Sequence, residues 1–227
     1  AATDAVTDEA TDAAASDEAT DAADEATDAA DETAAGDRTQ LIVGFDAEYP
    51  PYGYMDENGE YVGFDLDLAQ EVCDRNGWEL VKQPIDWDAK DMELNSGSID
   101  CIWNGFTMTG REDDYTFSEP YVDNSIVVVV AADSDIATAD DLKNKTIGTQ
   151  LGTTGMFLSE DIEGATAQTY NRAVDAVNDL VNGRVDAVII DKNPAEVFNT
   201  KFDGKVKIID GAEFGFETEE YAIALPK

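Results

Sequence analysis

The feature that most restricts the fold of this chain is a repeated alternation of apolar runs and amphipathic segments across residues 41–225. The apolar runs, such as 41–43, 185–190 and the closing run 221–225, have the length of buried strands. Between them, residues such as Leu66 and Ala69 recur at the spacing of one helical face. That helix is predicted to have Asp65 as its N-cap and to end at Gly77. Strands that alternate with helices form mostly parallel sheets with helices on their faces. The alternation occurs twice, each time over about a hundred residues, and predicts an α/β protein with two lobes.

The first part of the chain differs in composition from the rest. Residues 1–37 contain thirteen acidic residues and no Lys or Arg, and the sequence DEATDAA recurs from Asp8, Asp17 and Asp24. Alanine favours helix, but nothing larger than Val6 is available for burial. We therefore predict an acidic, disordered spacer that holds the folded part away from a surface. The predicted domains are 1–38 for the spacer, 39–124 with 225–227 for the first lobe, and 125–224 for the second lobe.

The composition excludes several classes of function. A formal net charge of −37 repels nucleic acid and anionic membrane surfaces. The sequence has no histidine, which removes Ser-His and Cys-His catalytic pairs and His-ligated metals. We predict neither a metal nor a cofactor. No apolar run approaches the ~20 residues of a membrane span, so we expect contact with a membrane only through an anchor outside this chain.

The two cysteines, Cys73 and Cys101, fit no metal-binding spacing. Two buried thiols and one disulfide both remain open, because the sequence does not give the distance between them. Their apolar surroundings favour buried thiols.

Residues 99–121 have the composition expected of a ligand site at the end of a strand. The small polar residues Asn104, Gly105 and Thr107 follow an apolar run, and Arg111 comes directly after them as an isolated cation. In open α/β sheets, strand ends with such groups bind small anionic ligands. The alternative is an ordinary surface loop in which Arg111 is a solvated charge.

Further candidates follow two other predicted strands. Thr153 and Thr154 lie in a Gly-Thr-Thr-Gly turn before a helix, where backbone amides and the helix dipole bind anions. Such turns are also common in proteins without an anion site. Asp191 ends an apolar strand, and is either a helix cap or a site carboxylate.

Three residues near the start of the first lobe complete the set. Asp46 follows an apolar strand, and is either a turn residue or a site carboxylate. Tyr49 and Trp87 are either core residues, the usual fate of aromatic side chains, or ligand contacts. With the residues above, they supply the cation, carboxylates and aromatic surfaces needed to bind a zwitterion.

Six motifs now suggest a family. In chain order they are 45–52 (FDAEYPPY), 63–68 (GFDLDL), 104–109 (NGFTMT), 117–121 (FSEPY), 152–154 (GTT) and 186–191 (DAVIID). Together they resemble the polar amino-acid-binding members of the bacterial extracellular solute-binding proteins, family 3, over about residues 41–227. The resemblance implies a two-lobed periplasmic-binding-protein-like fold (type II) with the ligand in the cleft. It also implies delivery of a polar amino acid to the permease of an ABC transporter. We expect an extracytoplasmic monomer, either periplasmic or anchored to the cell surface as a lipoprotein.

The resemblance assigns the ligand α-carboxylate to three residues. Arg111 would pair with it bidentately, which suits a guanidinium better than an ammonium. Thr154 and the backbone at Thr153 would share it. Members usually place the arginine three residues after a threonine, whereas Arg111 follows Thr109 one residue sooner.

The resemblance gives the remaining ligand groups to other residues. Asp191 would bind the α-ammonium, together with the carbonyl of Gly105 and with Thr107. Tyr49 and Trp87 would sandwich the ligand side chain. Asp46 and Asn104 would lie near its tip. The acidic residues favour a polar, and in particular a basic, side chain.

Two alternatives remain beside the binding protein, which we do not expect to be an enzyme. Members usually continue past the final strand into a helix that returns to the first lobe, whereas this chain stops at Lys227. The chain end at Lys227 also allows the first alternative, a ligand-sensing domain of a membrane receptor or kinase. A dehydratase-like enzyme on the same fold is the second alternative. The missing histidine, and the missing pair of a catalytic acid and a base, argue against it.

Overall fold

Two mixed β-sheets carry the fold, as a computed structural model of the chain shows for residues 38–227. The predicted spacer lies outside these described residues, apart from Arg38. The strands are β1 (Gln40–Phe45), β2 (Glu48–Tyr49), β3 (Gly53–Met55), β4 (Tyr61–Val62), β5 (Glu79–Pro84), β6 (Cys101–Ile102), β7 (Thr116–Phe117), β8 (Val122–Ala131), β9 (Thr146–Gln150), β10 (Thr166–Tyr170), β11 (Ala187–Asp191), β12 (Val206–Asp210), β13 (Thr218–Tyr221) and β14 (Ala224–Leu225). The α-helices are α1 (Phe64–Asn76), α2 (Lys90–Ser96), α3 (Thr154–Glu160), α4 (Ala173–Val181) and α5 (Lys192–Lys201). Short 3₁₀ turns cover Trp87–Ala89, Ala139–Leu142 and Gly211–Phe214.

The first sheet has the strand order β5-β1-β6-β14-β7. Strands β5, β1 and β6 are parallel, and β14 runs antiparallel to both of its neighbours. Cores form on both faces. On one face, Val43 and Phe45 of β1 pack with Leu66 and Ala69 of α1. On the other face, the Trp87 turn and α2 cover β6.

The second sheet has the order β10-β9-β11-β8-β12. Strands β10, β9 and β11 are parallel, whereas β8 is antiparallel to β11 and β12. Successive residues of β8 alternate between two cores. Val127 and Val129 face α4 and α5, and Ile126 and Val128 face the opposite core. Because both faces are covered there, residues 126–131 of β8 and 187–190 of β11 are all apolar.

The chain crosses between the sheets twice within residues 38–227, once between β7 and β8 and once between β13 and β14. The crossings are hydrogen-bonded to each other. The Ser118 amide donates to the Ile223 carbonyl at 3.0 Å, and the Tyr121 amide donates to the Tyr221 carbonyl at 2.9 Å. The prediction of one closing strand over 221–225 is therefore wrong. Residues 218–221 pair with β8, while 224–225 join the first sheet.

Helix α1 begins differently from the prediction. Gly63 is its N-cap, at φ 140°, and makes no side-chain capping bond. Asp65, predicted as the cap, is instead completely buried. The predicted end is confirmed, because Gly77 adopts the left-handed conformation at φ 69°.

Cys73 and Cys101 are buried thiols in the core that covers one face of the first sheet. Among residues 38–227, none of the helices has both the length and the apolar character that a membrane span requires.

Candidate functional site

One cavity is lined by every residue that was predicted from the sequence to bind a ligand. These lining residues are Asp46, Tyr49, Trp87, Asn104, Gly105, Thr107, Arg111, Thr153, Thr154 and Asp191. Phe106, Gln150 and Gly152 line it as well. Of the ten predicted residues, the seven from Asp46 to Arg111 belong to the part of the chain that builds the first sheet. Thr153, Thr154 and Asp191 belong to the part that builds the second sheet.

The topology of the sheets explains this convergence. Asp46 directly follows β1, Asn104 lies two residues beyond β6, and Asp191 is the last residue of β11. Thr154 begins α3, shortly after the end of β9. Carboxyl ends of parallel strands meet at one edge of a sheet, which is where open α/β sheets bind ligands.

Asp191 is held by three donors at one end of the cavity. The Tyr221 hydroxyl donates to its Oδ1 at 2.6 Å, and Asn124 Nδ2 donates to the same oxygen at 2.5 Å. The Tyr49 hydroxyl donates to Oδ2. Asp191 is therefore a buried carboxylate fixed from several directions, and it has no side-chain capping bond to α5, which it precedes.

Arg111 is the lining cation, and its guanidinium is already oriented. Nη1 donates to the Thr107 carbonyl at 2.8 Å, and Nη2 donates to the Thr154 hydroxyl at 3.4 Å. The Arg111 side chain also lies over the rings of Phe106, at 5.0 Å, and Phe157, at 5.9 Å. Because a guanidinium has five N–H donors, the two bonds leave donors for an anion in the cavity.

The turn before α3 is packed closely against β11. Thr153 caps the helix by accepting from the Met156 amide at 3.4 Å, and its hydroxyl donates to the Gln150 carbonyl at 2.7 Å. A Cβ on Gly155 would lie 2.5 Å from the Ile189 carbonyl oxygen. Glycine at 155 therefore lets α3 begin next to the end of β11, which places Thr154 near Asp191.

Asp46 marks another part of the cavity and is also extensively hydrogen-bonded. Gln150 Nε2 donates to its Oδ2 at 2.6 Å, the Glu48 amide donates to its Oδ1 at 2.8 Å, and its own amide donates to Asn104 Oδ1 at 3.0 Å. Burial raises the pKa of Asp46, against the lowering effect of these hydrogen bonds. Gln150 was not among the predicted site residues, although it lies at the carboxyl end of a strand, β9, as several of them do.

Gly105 depends on a carboxyl group outside the cavity lining. Its amide donates to Asp65 Oδ2 at 2.6 Å, and the Tyr121 hydroxyl donates to the same oxygen at 2.9 Å. Gly105 has φ 55°, and an added Cβ would lie 3.0 Å from the Tyr221 ring. Burial raises the pKa of Asp65 to about 7 despite these two bonds. Asp65 thus positions a lining residue.

Tyr49 and Trp87 are both largely buried and both line the cavity, so they serve as core residues as well. Tyr49 stacks on Tyr52 with ring centroids 6.2 Å apart. Trp87 meets Phe106 edge to face at 5.6 Å. These contacts fix the positions of both rings.

Similarity to known proteins agrees with this geometry. Residues 41–203 match the profile of the bacterial extracellular solute-binding proteins, family 3. The chain is 32% identical over 195 residues to the L-cystine-binding protein TcyJ of Escherichia coli (strain K12), covering 84% of this chain and 72% of TcyJ. It is 34% identical over 164 residues to the arginine-binding extracellular protein ArtP of Bacillus subtilis (strain 168), covering 70% of this chain and 64% of ArtP.

Solved structures give the same result. A truncated, arginine-bound form of ArgBP from T. maritima superposes with a TM-score of 0.77 at 38% identity, covering 83% of this chain and 88% of that chain. A histidine-bound substrate-binding protein of an ABC uptake transporter from Streptococcus pneumoniae gives a TM-score of 0.77 at 35% identity, covering 83% and 80%. The similarity to these two-lobed proteins confirms the predicted α/β fold. The chain belongs to the bacterial extracellular solute-binding proteins, family 3.

Proposed function

We propose that this protein binds a polar, cationic L-amino acid outside the cytoplasm and delivers it to an ABC transporter. The observation that carries the proposal is the placement of Arg111 and Asp191 around one cavity, on parts of the chain that build different sheets. A half-buried cation and a buried carboxylate are complementary to the two charged groups of an amino acid. Arg111 would bind the α-carboxylate with Thr154 and the Thr153 backbone. Asp191 would bind the α-ammonium with Thr107 and the Gly105 carbonyl.

The balance of charge supports a cationic side chain. Among the residues that line the cavity, Asp46 and Asp191 are acidic and Arg111 is the basic one. A zwitterion would leave one carboxylate without a cation in a buried site, which is costly. A ligand with an additional positive charge would match Asp46. Asn104 and Gln150 would orient that group, and Tyr49 and Trp87 would enclose the apolar part of the side chain.

The family supports the setting of this function. Its members are extracellular solute-binding proteins, and relatives are named for binding cystine or arginine. We infer binding without turnover, a permease partner, a monomeric state, and either a periplasmic location or a lipoprotein anchor. The inferred lobes are 39–124 with 225–227, and 125–224.

A thermal-shift screen tests the proposal. The panel contains L-arginine, L-lysine, L-ornithine, L-histidine, L-cystine, L-glutamine and L-glutamate. A ligand present at a hundred times its Kd stabilises the folded protein by about 2.7 kcal/mol. We expect the basic amino acids to raise the melting temperature and L-glutamate to have no effect. No shift with any member of the panel would refute the proposed function, and a shift with L-glutamate alone would refute the cationic side chain.

The matched control for the screen is a variant that lacks a positive charge outside the cavity lining. Arg75 lies on the exposed surface of α1 and pairs with Glu71. Arg75→Ala should shift with the same ligands as the unmodified protein, whereas Arg111→Ala should not.

A further inference from the structure

Another buried carboxyl group, that of Glu219, lies behind the proposed ammonium site and does not line the cavity. It belongs to β13, where alternate residues point inward, so that Glu219 and Tyr221 are buried while Thr218 and Glu220 are exposed. Tyr221 donates to Asp191. Glu219 extends the same buried network toward another lining residue, Thr107.

Glu219 accepts hydrogen bonds from two residues on different segments. The Thr107 hydroxyl donates to its Oε2 at 3.0 Å, and Asn124 Nδ2 donates to the same oxygen at 3.2 Å. Asn124 Nδ2 also donates to Asp191, so this one amide nitrogen joins both carboxyl groups. The Asn124 Oδ1 atom is buried without a hydrogen-bond partner. The two carboxyl groups thus set the orientation of the Asn124 amide, and in this orientation the Asn124 oxygen has no hydrogen-bond partner.

The bond from Thr107 determines what this residue can do in the cavity. A hydroxyl group has one hydrogen and two lone pairs. Because the hydrogen points to Glu219, the lone pairs of the Thr107 oxygen are available on the cavity side, where they can accept but cannot donate. An ammonium group is the part of an amino acid that donates, whereas a carboxylate only accepts.

We propose that Glu219 is a positioning residue for the α-ammonium of the ligand, acting through the Thr107 hydroxyl. The inference rests on the proposed function and adds a residue to it. A neutral amide at position 219 would accept the Thr107 hydrogen less strongly than the carboxylate does, so the Thr107 hydroxyl would rotate more easily and present its hydrogen to the cavity, where it repels an ammonium. Burial, followed by the charge of Asp191, raises the pKa of Glu219, while the nearby hydroxyl and amide groups of Thr154, Thr107 and Asn124 lower it. Glu219 is thereby electrostatically coupled to the carboxylate that would bind the same ammonium.

The test compares ligands with and without the α-amino group. The probes are L-arginine and L-histidine, each paired with its analogue that lacks the α-amino group, and affinity is measured by isothermal titration. The variants are Glu219→Gln, Thr107→Val and the double variant. Glu220→Gln is the control, because it removes a charge from the exposed neighbour in the same strand.

The expected result is a selective loss. A hydrogen bond to a charged group corresponds to about a tenfold change in affinity or more, so Glu219→Gln should bind the amino acid about tenfold more weakly. The analogue should lose much less, and Glu220→Gln should match the unmodified protein. The double variant should be no weaker than the weaker single variant, because both substitutions remove one interaction.

Three results would overturn the inference alone: Glu219→Gln binding within threefold of the unmodified protein, equal losses for amino acid and analogue, or additive losses in the double variant. If Glu219→Gln does not fold, Thr107→Val tests the same assignment, since its loss must also be confined to the amino acid. If the unmodified protein binds no amino acid of the thermal-shift panel, the proposed function and this inference fail together.

Discussion

The hydroxyl group of Tyr49 donates a hydrogen bond to Oδ2 of Asp191, although the two residues lie 142 positions apart. Tyr49 belongs to β2, and Asp191 ends β11 in the second sheet. Burial, followed by the Asp191 charge, raises the pKa of Tyr49 well above its ordinary value, so the phenol remains a neutral donor. A neutral group thus occupies one acceptor position on the carboxylate that we assign to the ligand ammonium.

Asp191→Asn should weaken amino-acid binding more than a hundredfold. The substitution keeps the shape of the side chain but removes the charge opposite a buried ammonium, which costs on the order of 3–5 kcal/mol. Isothermal titration with the best ligand from the screen measures the effect. Glu196→Gln, on the exposed surface of α5, is the charge-matched control. An affinity within threefold of the unmodified protein would contradict the assignment of Asp191.

Arg111→Ala should be comparably damaging, because a carboxylate that loses its cation remains desolvated. The expected cost is again on the order of 3–5 kcal/mol. Arg111→Lys should recover little of the affinity, since an ammonium cannot reproduce the planar fork or the stacking on Phe106. The same titration decides. Binding by Arg111→Ala within threefold of the unmodified protein would mean that the α-carboxylate lies elsewhere.

Tyr49→Ala and Trp87→Ala should weaken binding less than either charge substitution. Lost burial of apolar surface accounts for about 1–3 kcal/mol per side chain. Because both rings line the cavity, the order of preference among amino acids should also change. Repeating the thermal-shift panel on each variant measures this. An unchanged order with uniformly lower affinity would indicate that the rings serve only the core.

Asp65→Asn should change how stability depends on pH. The pKa of Asp65 is raised to about 7 in the folded protein, and is about 3.9 in an unfolded chain. Between these values the folded state binds more protons, so the free energy of unfolding falls as pH rises through that window. The loss is up to ~4 kcal/mol for a shift of about three pKa units.

Urea unfolding of the Asp65→Asn variant between pH 5 and 8 is the measurement. The variant cannot ionise at this position, so its stability relative to the unmodified protein should rise with pH. Asp67→Asn, two residues further along α1 and exposed, should show no such trend. Parallel pH curves for Asp65→Asn and the unmodified protein would contradict the raised pKa.

The sequence predicted the elements better than the connections between them. Apolar runs such as 41–43 and 185–190 identified central strands of the two large sheets, because both faces of these sheets are covered. The run at 221–225 was interpreted as one strand because apolar content does not reveal that a chain leaves one sheet and joins another. The ten lining residues could be found because they follow apolar strands, which is a local signal.

Residues that act through tertiary contacts were harder to identify. Asp65 has the local sequence of a helix cap, and only the packing of α1 against the loop at Gly105 buries it. Glu219 lies in the sequence Thr-Glu-Glu-Tyr, which looks like a charged surface segment. Its burial follows from the pairing of β13 with β8, a partner almost a hundred residues earlier along the chain that the local pattern does not indicate.

The paired crossings between the sheets have a mechanical consequence. Two hydrogen-bonded antiparallel segments bend readily across their length, but sliding one along the other would break the bonds between them. The movement of one sheet relative to the other is thereby reduced to something close to a single rotation. A small ligand that fixes this one angle also fixes the distance between surfaces at the far ends of the molecule. If the proposed transport function is correct, the transporter could distinguish the loaded protein from the empty one by geometry alone, without contacting the ligand.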